Sequence, residues 1–295
     1  MNAYLPEGRN PRPSPYTAEE LKTAMFSGEI LEGVAVKCDE RHNLLVDLGC
    51  ATGIILRQDA AVGIREGTLR DIAILSRVGK PVSFQVLDLP EEEPPVLSRR
   101  AAQEEALSHF LRTLSPGDIL PATVSNLTAF GAFCDIGCGI PALLGIENIS
   151  VSRIAHSRDR FQEGERIYVA VKLIDRENSR IFLTHKELLG TWEENAAVFQ
   201  QGQTVTGVVR SVKAYGAFIE LLPNLSGLAD PNPSLREGDA VCVYIKSILP
   251  DKQKIKLVAL HRLEPGAVPP APLTYYLTCG HLDRWVYSPQ QITVF

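Results

Sequence analysis

"TAFGAFCDIG" at 128–137 returns as "KAYGAFIELL" at 213–222. Each stretch carries two aromatic residues three apart around a glycine: Phe130 and Phe133 about Gly131, Tyr215 and Phe218 about Gly216. Side chains of a β-strand alternate between its faces, so residues three apart should point opposite ways. Asp135 and Glu220 are charged, which marks one face as solvated. Cys134 and Ile219 then face the core, and Phe133 and Phe218 share the solvated face. A glycine inside a strand often marks a bulge, which inserts one extra residue. A bulge at Gly131 and at Gly216 would swing Phe130 and Tyr215 onto that same outer face. The competing reading packs these rings in the core. Two rings side by side in water otherwise mark a binding surface.

The recurrence extends well beyond these ten residues. Gly117 matches Gly202, Val124 matches Val209 and Phe133 matches Phe218, all 85 apart. "FQEGERIYVAVKLIDRENSRIFLTHKE" at 161–187 matches "LREGDAVCVYIKSILPDKQKIKLVALH" at 235–261 with an offset of 74, so the later copy has lost a stretch between its third and fourth strands. A more diverged copy begins with "SGEILEGVAVKCDERHNLLVDLG" at 27–49 and closes with "VGKPVSFQVLDLPEEEPPVLSRRA" at 78–101. There Asp47 stands in the place of Asp135, Leu45 replaces Phe133 and His42 stands near the Phe130 position.

Each copy reads as about five short strands rich in Val, Ile and Phe, divided by Gly, Pro, Asn and Asp turns. Five short strands in roughly 70 residues suggest a small closed barrel, because closure removes reactive strand edges. The fold class expected is all-β: three tandem five-stranded OB-fold barrels with short helical connectors and a C-terminal aromatic-rich hairpin. Residues 1–26 form an arm and a short helix capped by Thr17 with Glu20 three residues on. The diverged copy spans 27–100, and a helical linker follows at 101–116. The second copy spans 117–188, a further helical linker 189–201, and the third copy, with its shortened loop, 202–262. Residues 263–295 hold a proline-rich linker and a hairpin around "CGHLD", expected to pack on the third barrel, with a further RNA or ribosome contact through Tyr275, Tyr276, Trp285 and Tyr287 as the alternative.

The chain has 295 residues and a net charge of −5, unevenly spread. Residues 202–262 carry eight Lys or Arg against five Asp or Glu, whereas residues 1–116 carry thirteen against seventeen. Binding of a polyanion depends on a local basic face rather than on the sum. No apolar run approaches the ~20 residues of a membrane helix, and the polar N-terminus lacks the core of a signal peptide. The expectation is a cytoplasmic monomer without membrane contact. The six cysteines are scattered, which favours free thiols. Cys134 with Cys138, and Cys279 with His281, do not make the four paired ligands of a zinc site. No nucleotide-binding loop, metalloprotease motif or nucleophile elbow is present. No catalytic residue, metal or cofactor is therefore expected.

Paired exposed rings suit nucleobases, since every base has a flat face. Cations that could hold the backbone are Lys172, Arg176 and Arg180 in the second copy, and Lys213, Lys246, Lys252, Lys254 and Lys256 in the third. Arg180 and Lys254 occupy matching places at the start of the last strand.

"GDILPATV", "FGAFCDIG", "ENIS", "GERIYVAVKLID" and "RIFLTHKE" in the second copy, with "GQTVTGVV", "YGAFIEL" and "GLAD" in the third, make residues 27–262 resemble the bacterial small-subunit ribosomal protein S-one family. That resemblance implies tandem OB-fold domains, single-stranded RNA (mRNA) as the partner and a role in translation. It implies RNA contacts at Phe130, Phe133, Asp175 and Arg180, and at Tyr215, Phe218 and Lys254. The family's usual His before "IS" is Asn148 here and Asp230 in the third copy; Asn keeps a hydrogen-bonding group, whereas Asp repels phosphate. The first copy resembles family repeats that dock on the small ribosomal subunit. Two other classes fit the acidic total and the ring-free first copy: a protein-interaction scaffold, and an accessory RNA-binding subunit of an RNA-processing complex.

Overall fold

The computed structural model describes residues 4–9, 14–264 and 273–288. Helix α1 (Ala18–Ser27) is the first helix of the described residues, capped by Thr17 in a reciprocal pair with Glu20. The first barrel consists of β1 (Leu31–Cys38), β2 (Leu44–Asp47), β3 (Thr52–Ile55), β4 (Pro81–Asp88) and β5 (Val96–Ser98), with the short helix α2 (Ile72–Leu75) in the long connection after β3. Helix α3 (Arg99–Thr113) links it to the second barrel. That barrel consists of β6 (Ile119–Thr128), β7 (Gly131–Asp135), β8 (Pro141–Gly145), β9 (Arg166–Asp175) and β10 (Arg180–Thr184). The connector to the third barrel is less helical than its composition suggests: a 3-10 turn at Lys186–Leu189, then α4 (Trp192–Ala196). Gly190, at φ +80, breaks the run, and Thr191 restarts it as a cap. The third barrel consists of β11 (Thr204–Lys213), β12 (Gly216–Leu222), β13 (Leu225–Ala229), β14 (Ala240–Leu249) and β15 (Lys254–Arg262).

All three barrels close the same way. The first strand pairs antiparallel with the second and the fourth, and the fifth pairs parallel with the third. This leaves no open edge to template aggregation. The period-two pattern is visible in the second core, where Leu120, Ala122 and Val124 alternate inward from β6 and Ile167, Val169 and Val171 from β9. Phe161 and, from α3, Phe110 complete that core.

Two polar joints tie the barrels together. Glu7 on the N-terminal arm is buried between the first two: it accepts the Ser83 amide at 3.0 Å, receives Arg99 at 2.7 Å, and donates its own backbone N–H to Asp135 Oδ2 at 2.8 Å. Burial opposes ionisation of Glu7, but Arg99 outweighs it and holds the carboxyl below its usual range. Between the second and third barrels, Arg160 and Arg210 both hold Glu220 at 2.8 Å. Asn224 adds donors to the carbonyls of Lys186 and Gly190 and accepts the Val151 amide.

These joints overturn one premise of the sequence reading. Asp135 and Glu220 lie on the outer side of their strands, yet both are buried. Strand alternation says which face a residue points to, not whether another segment covers that face. The expected bulges are also displaced. Gly131 and Gly216 open β7 and β12, and the register shifts lie on the partner strands, at Ser125 and Arg210. Ser125 secures its bulge by donating from Oγ to the Phe133 carbonyl at 2.9 Å.

The expected C-terminal hairpin is absent from the described residues. Residues 273–288 run as an irregular strap over the second barrel rather than the third, with one isolated bridge between His281 and Asp118. The strap's polar backbone finds its partners on the barrel, which leaves no call for a self-paired hairpin. Most of the proline-rich linker, 265–272, and the final residues 289–295 lie outside the described residues.

Candidate nucleic-acid interface

In the second barrel a two-residue turn, Ala129–Phe130, joins β6 to β7. Gly131 sits at φ +152, and a Cβ there would strike the Leu144 carbonyl oxygen of the neighbouring strand. Glycine is therefore required for the turn to sit against β8. Phe130 is thrown outward from the turn, 58% exposed, with its backbone carbonyl held by the Ile146 amide at 2.9 Å. Phe133, half-buried on β7, meets it edge to face: centroids 6.0 Å apart, planes at 87°. The third barrel repeats the device. Gly216 lies at φ +151 against the Ala229 carbonyl, and Tyr215 is 64% exposed. Its ring meets half-buried Phe218 at 6.2 Å and 90°. The core-packing alternative does not describe either pair. The first barrel has no such rings. Its matching positions are Leu45, paired with Ile54 and through it with Val96, and His42, whose Nδ1 lies 3.5 Å from Asp71.

From each inner ring the ladder register carries a row across the face. In the second barrel the row is Phe133, Leu143, Phe182 and Leu173. In the third it is Phe218, Leu228, Lys256 and Ser247. Phe182 was not anticipated, although "RIFLT" contains the cue: residue 182 stands two places from Arg180 and shares its face. A groove of about 800 Å³ runs along this face, lined by Phe130, Leu143, Phe182, Lys172 and, from the strap, Trp285 and Tyr287. A second hollow of about 650 Å³, between the first and second barrels, contains Phe133, Phe182, Arg180 and, from the first barrel, Arg77.

The polar candidates are less uniform. Lys172 occupies the bulge of β9 and donates to Asn148 Oδ1 at 2.9 Å, so the buried Asn148 positions the lysine. Lys246 occupies the matching bulge of β14 and is exposed. Arg180 begins β10 opposite Asp175 and reaches the hollow beside Phe133. Asp175 accepts both the backbone and side-chain nitrogens of Asn178, which hold its carboxyl below the usual range. It thus builds the β9–β10 turn. Arg176 is drawn away from the rings, donating to the Leu111 carbonyl of α3 at 3.1 Å. In the third barrel Lys254 faces Leu249 across the ladder rather than an acid, and Lys256 faces Ser247. Lys213 ends β11 beside Gly216. Lys213, Lys246, Lys252, Lys254 and Lys256 are all exposed, and none has an ion pair among the described residues.

Burial pushes the Cys134 and Cys138 thiols up to about 12, far from the thiolate form. Among the described residues no cluster of His, Cys, Asp or Glu could hold a metal ion. Among them, too, no helix is long and apolar enough to cross a membrane.

Residues 113–186 match the model of the S1 RNA binding domain. The chain is 33% identical over 256 residues to the small ribosomal subunit protein bS1 homolog of Bacillus subtilis, covering 81% of this chain and 65% of that one. The chain is similar to the bS1 proteins over most of its own length. With bS1 of Leuconostoc lactis the identity is 32% over 234 residues, covering 74% of this chain and 53% of the relative. With bS1 of Staphylococcus aureus it is 31% over 254 residues, covering 80% and 63%. The chain therefore spans between about half and two thirds of the length of these relatives. The domain match falls on the second barrel, the one whose apolar row is complete.

Proposed function

We propose that this chain is a non-catalytic protein that binds single-stranded RNA on the outer faces of its second and third barrels and serves in translation, as the name of its bS1 relatives suggests. The observation that carries this reading is the duplicated ring pair. On each of two matching hairpins an exposed ring, Phe130 or Tyr215, stands nearly perpendicular to a half-buried one, next to a glycine with no room for a Cβ. Exposed aromatic pairs are unfavourable without a partner, and stacking on a base contributes ~1–3 kcal/mol. Lys172, Arg180, Lys246, Lys254 and Lys256 lie where a strand crossing the rings would bring its phosphates. Asn148 serves by holding Lys172, and Asp175 by shaping the turn that presents Arg180.

The first barrel, without rings and with more acidic than basic residues, takes a protein surface, and the small ribosomal subunit is the partner the name of its relatives suggests. Fluorescence anisotropy with labelled oligouridine tests the division. A chain with Phe133→Ala and Phe218→Ala should lose most of its affinity, while a chain with Leu45→Ala and Ile54→Ala should keep it. Equal loss from both would place the RNA elsewhere.

A further inference from the structure

The C-terminal strap supplies an aromatic wall to the second barrel's groove. It is fastened to the barrel at intervals along its length. Tyr275 is inserted beside the core, its Oη 2.9 Å from His185 Nε2 and its ring 5.4 Å from that of Tyr168. The Tyr276 amide donates to the Leu188 carbonyl at 2.9 Å. The Ile119 amide donates to Gly280, and the Leu282 amide to Gly117, at 3.0 and 2.8 Å. Leu282 itself is buried. The buried carboxylate of Glu187 then accepts the amides of Val286 and Tyr287, at 3.0 and 3.1 Å. Tyr287 adds a bond from its hydroxyl to the Gly190 carbonyl at 3.1 Å.

These fastenings bring Trp285 and Tyr287 to the groove that holds Phe130, Phe182 and Lys172. They line it together with Leu143 of β8 and Phe182 of β10. Trp285 is half-buried, like Phe133, and its indole meets no other ring among the described residues. The groove's volume, about 800 Å³, suits a small flat ligand. Lys172 and Lys186 supply positive charge along it. The one carboxylate lining it, Glu147, already accepts from Asn148 Nδ2 at 2.8 Å.

We propose that Trp285 is a further base-stacking residue, with Tyr287 bracing it, so that single-stranded RNA on the second barrel is gripped between the barrel face and the strap. This rests on the RNA-binding reading above and lengthens its track by one base beyond Phe130.

Affinity for labelled oligouridine of about ten nucleotides, a length within the span of one or two OB folds, tests it in the full chain. Trp285→Ala should weaken binding roughly tenfold, the size of one lost stack, with the salt dependence unchanged. Trp285→Phe should recover most of the loss. The chain holds two tryptophans, so Trp192→Phe leaves Trp285 as the sole indole, and its emission should be quenched as RNA is added. If Phe133→Ala weakens binding and Trp285→Ala does not, the strap is packing only and the inference falls alone. If Trp285→Ala tightens binding, the strap covers the groove, and the inference is again wrong. If neither variant changes affinity, the RNA-binding reading falls with it.

Discussion

The second and third barrels share strand order, glycine-held rings and bulged lysines, yet differ along one row. Phe182 in the second stands where Lys256 stands in the third, and Leu173 where Ser247 stands. The second face is thereby mostly apolar, and the third carries a cation at its middle. The fold fixes where an extended strand can lie, and the row decides which force holds it there. Stacking is sequence-tolerant and releases few ions, whereas phosphate contacts weaken with salt.

The buried acids two places along the strand from each inner ring differ as well. Asp135 receives the amides of Glu7, Gly137 and Gly139 and no arginine. Burial beside Glu7 pushes its pKa up. Glu220 sits between two arginines that outweigh burial and hold its carboxyl below the usual range. Glu220→Ala leaves Arg160 buried without its partner, so the second–third joint should lose ~3–5 kcal/mol in urea unfolding. The first–second joint should stay intact. A loss below ~1 kcal/mol would mean that the joint is not built on these charges.

A second contrast concerns pH. His185 ends the second barrel where Ala259 stands in the third. It is buried between Ile149 and Tyr275, and burial holds its pKa down at about 4, with Arg160 adding to the effect. The folded barrel keeps the imidazole neutral, while the unfolded chain protonates it near pH 6.5. Stability present above pH 6.5 is therefore lost as pH falls toward 4, by a few kcal/mol at most. Asp135 works in the opposite sense: its raised pKa favours the folded state at low pH and loses that advantage as pH rises. His185→Asn isolates the first effect. Its melting temperature should fall less than the parent's between pH 6.5 and pH 4, and an identical fall would remove His185 from the account.

Much of this comparison was legible in the residues. Offsets of 85 and 74 recur in the ladders, so Phe133 and Phe218 pair across equivalent strands. Helix α1 and its cap were readable because the Thr17–Glu20 spacing is local. What escaped depends on contacts far apart in sequence. Asp135 and Glu220 look solvated until the arm and Arg160 arrive to cover them. Glu7 carries no local sign that it will be buried beside Arg99. The strap's place on the second barrel is set by Tyr275 and Glu187, 88 residues apart in the chain, and no short-range pattern announces it.

Lys256→Ala sharpens the row contrast with a smaller effect. The slope of log affinity against log salt should fall by ~0.7, one phosphate's worth, with weakening alike for all RNA sequences. Phe182→Lys in the second barrel should raise the slope by a similar amount. If both leave the slope unchanged, RNA does not cross the middle of either face.

The central claim is that the ring pairs hold bases while contributing little to the core. Phe133→Ala tests it in a single variant, measured by oligouridine anisotropy and thermal unfolding on the same sample. The account predicts an affinity loss equivalent to ~1–3 kcal/mol with the fold retained and the salt slope unchanged. Unchanged affinity, accompanied by the ~3–5 kcal/mol stability loss of a truncated core phenylalanine, would contradict it.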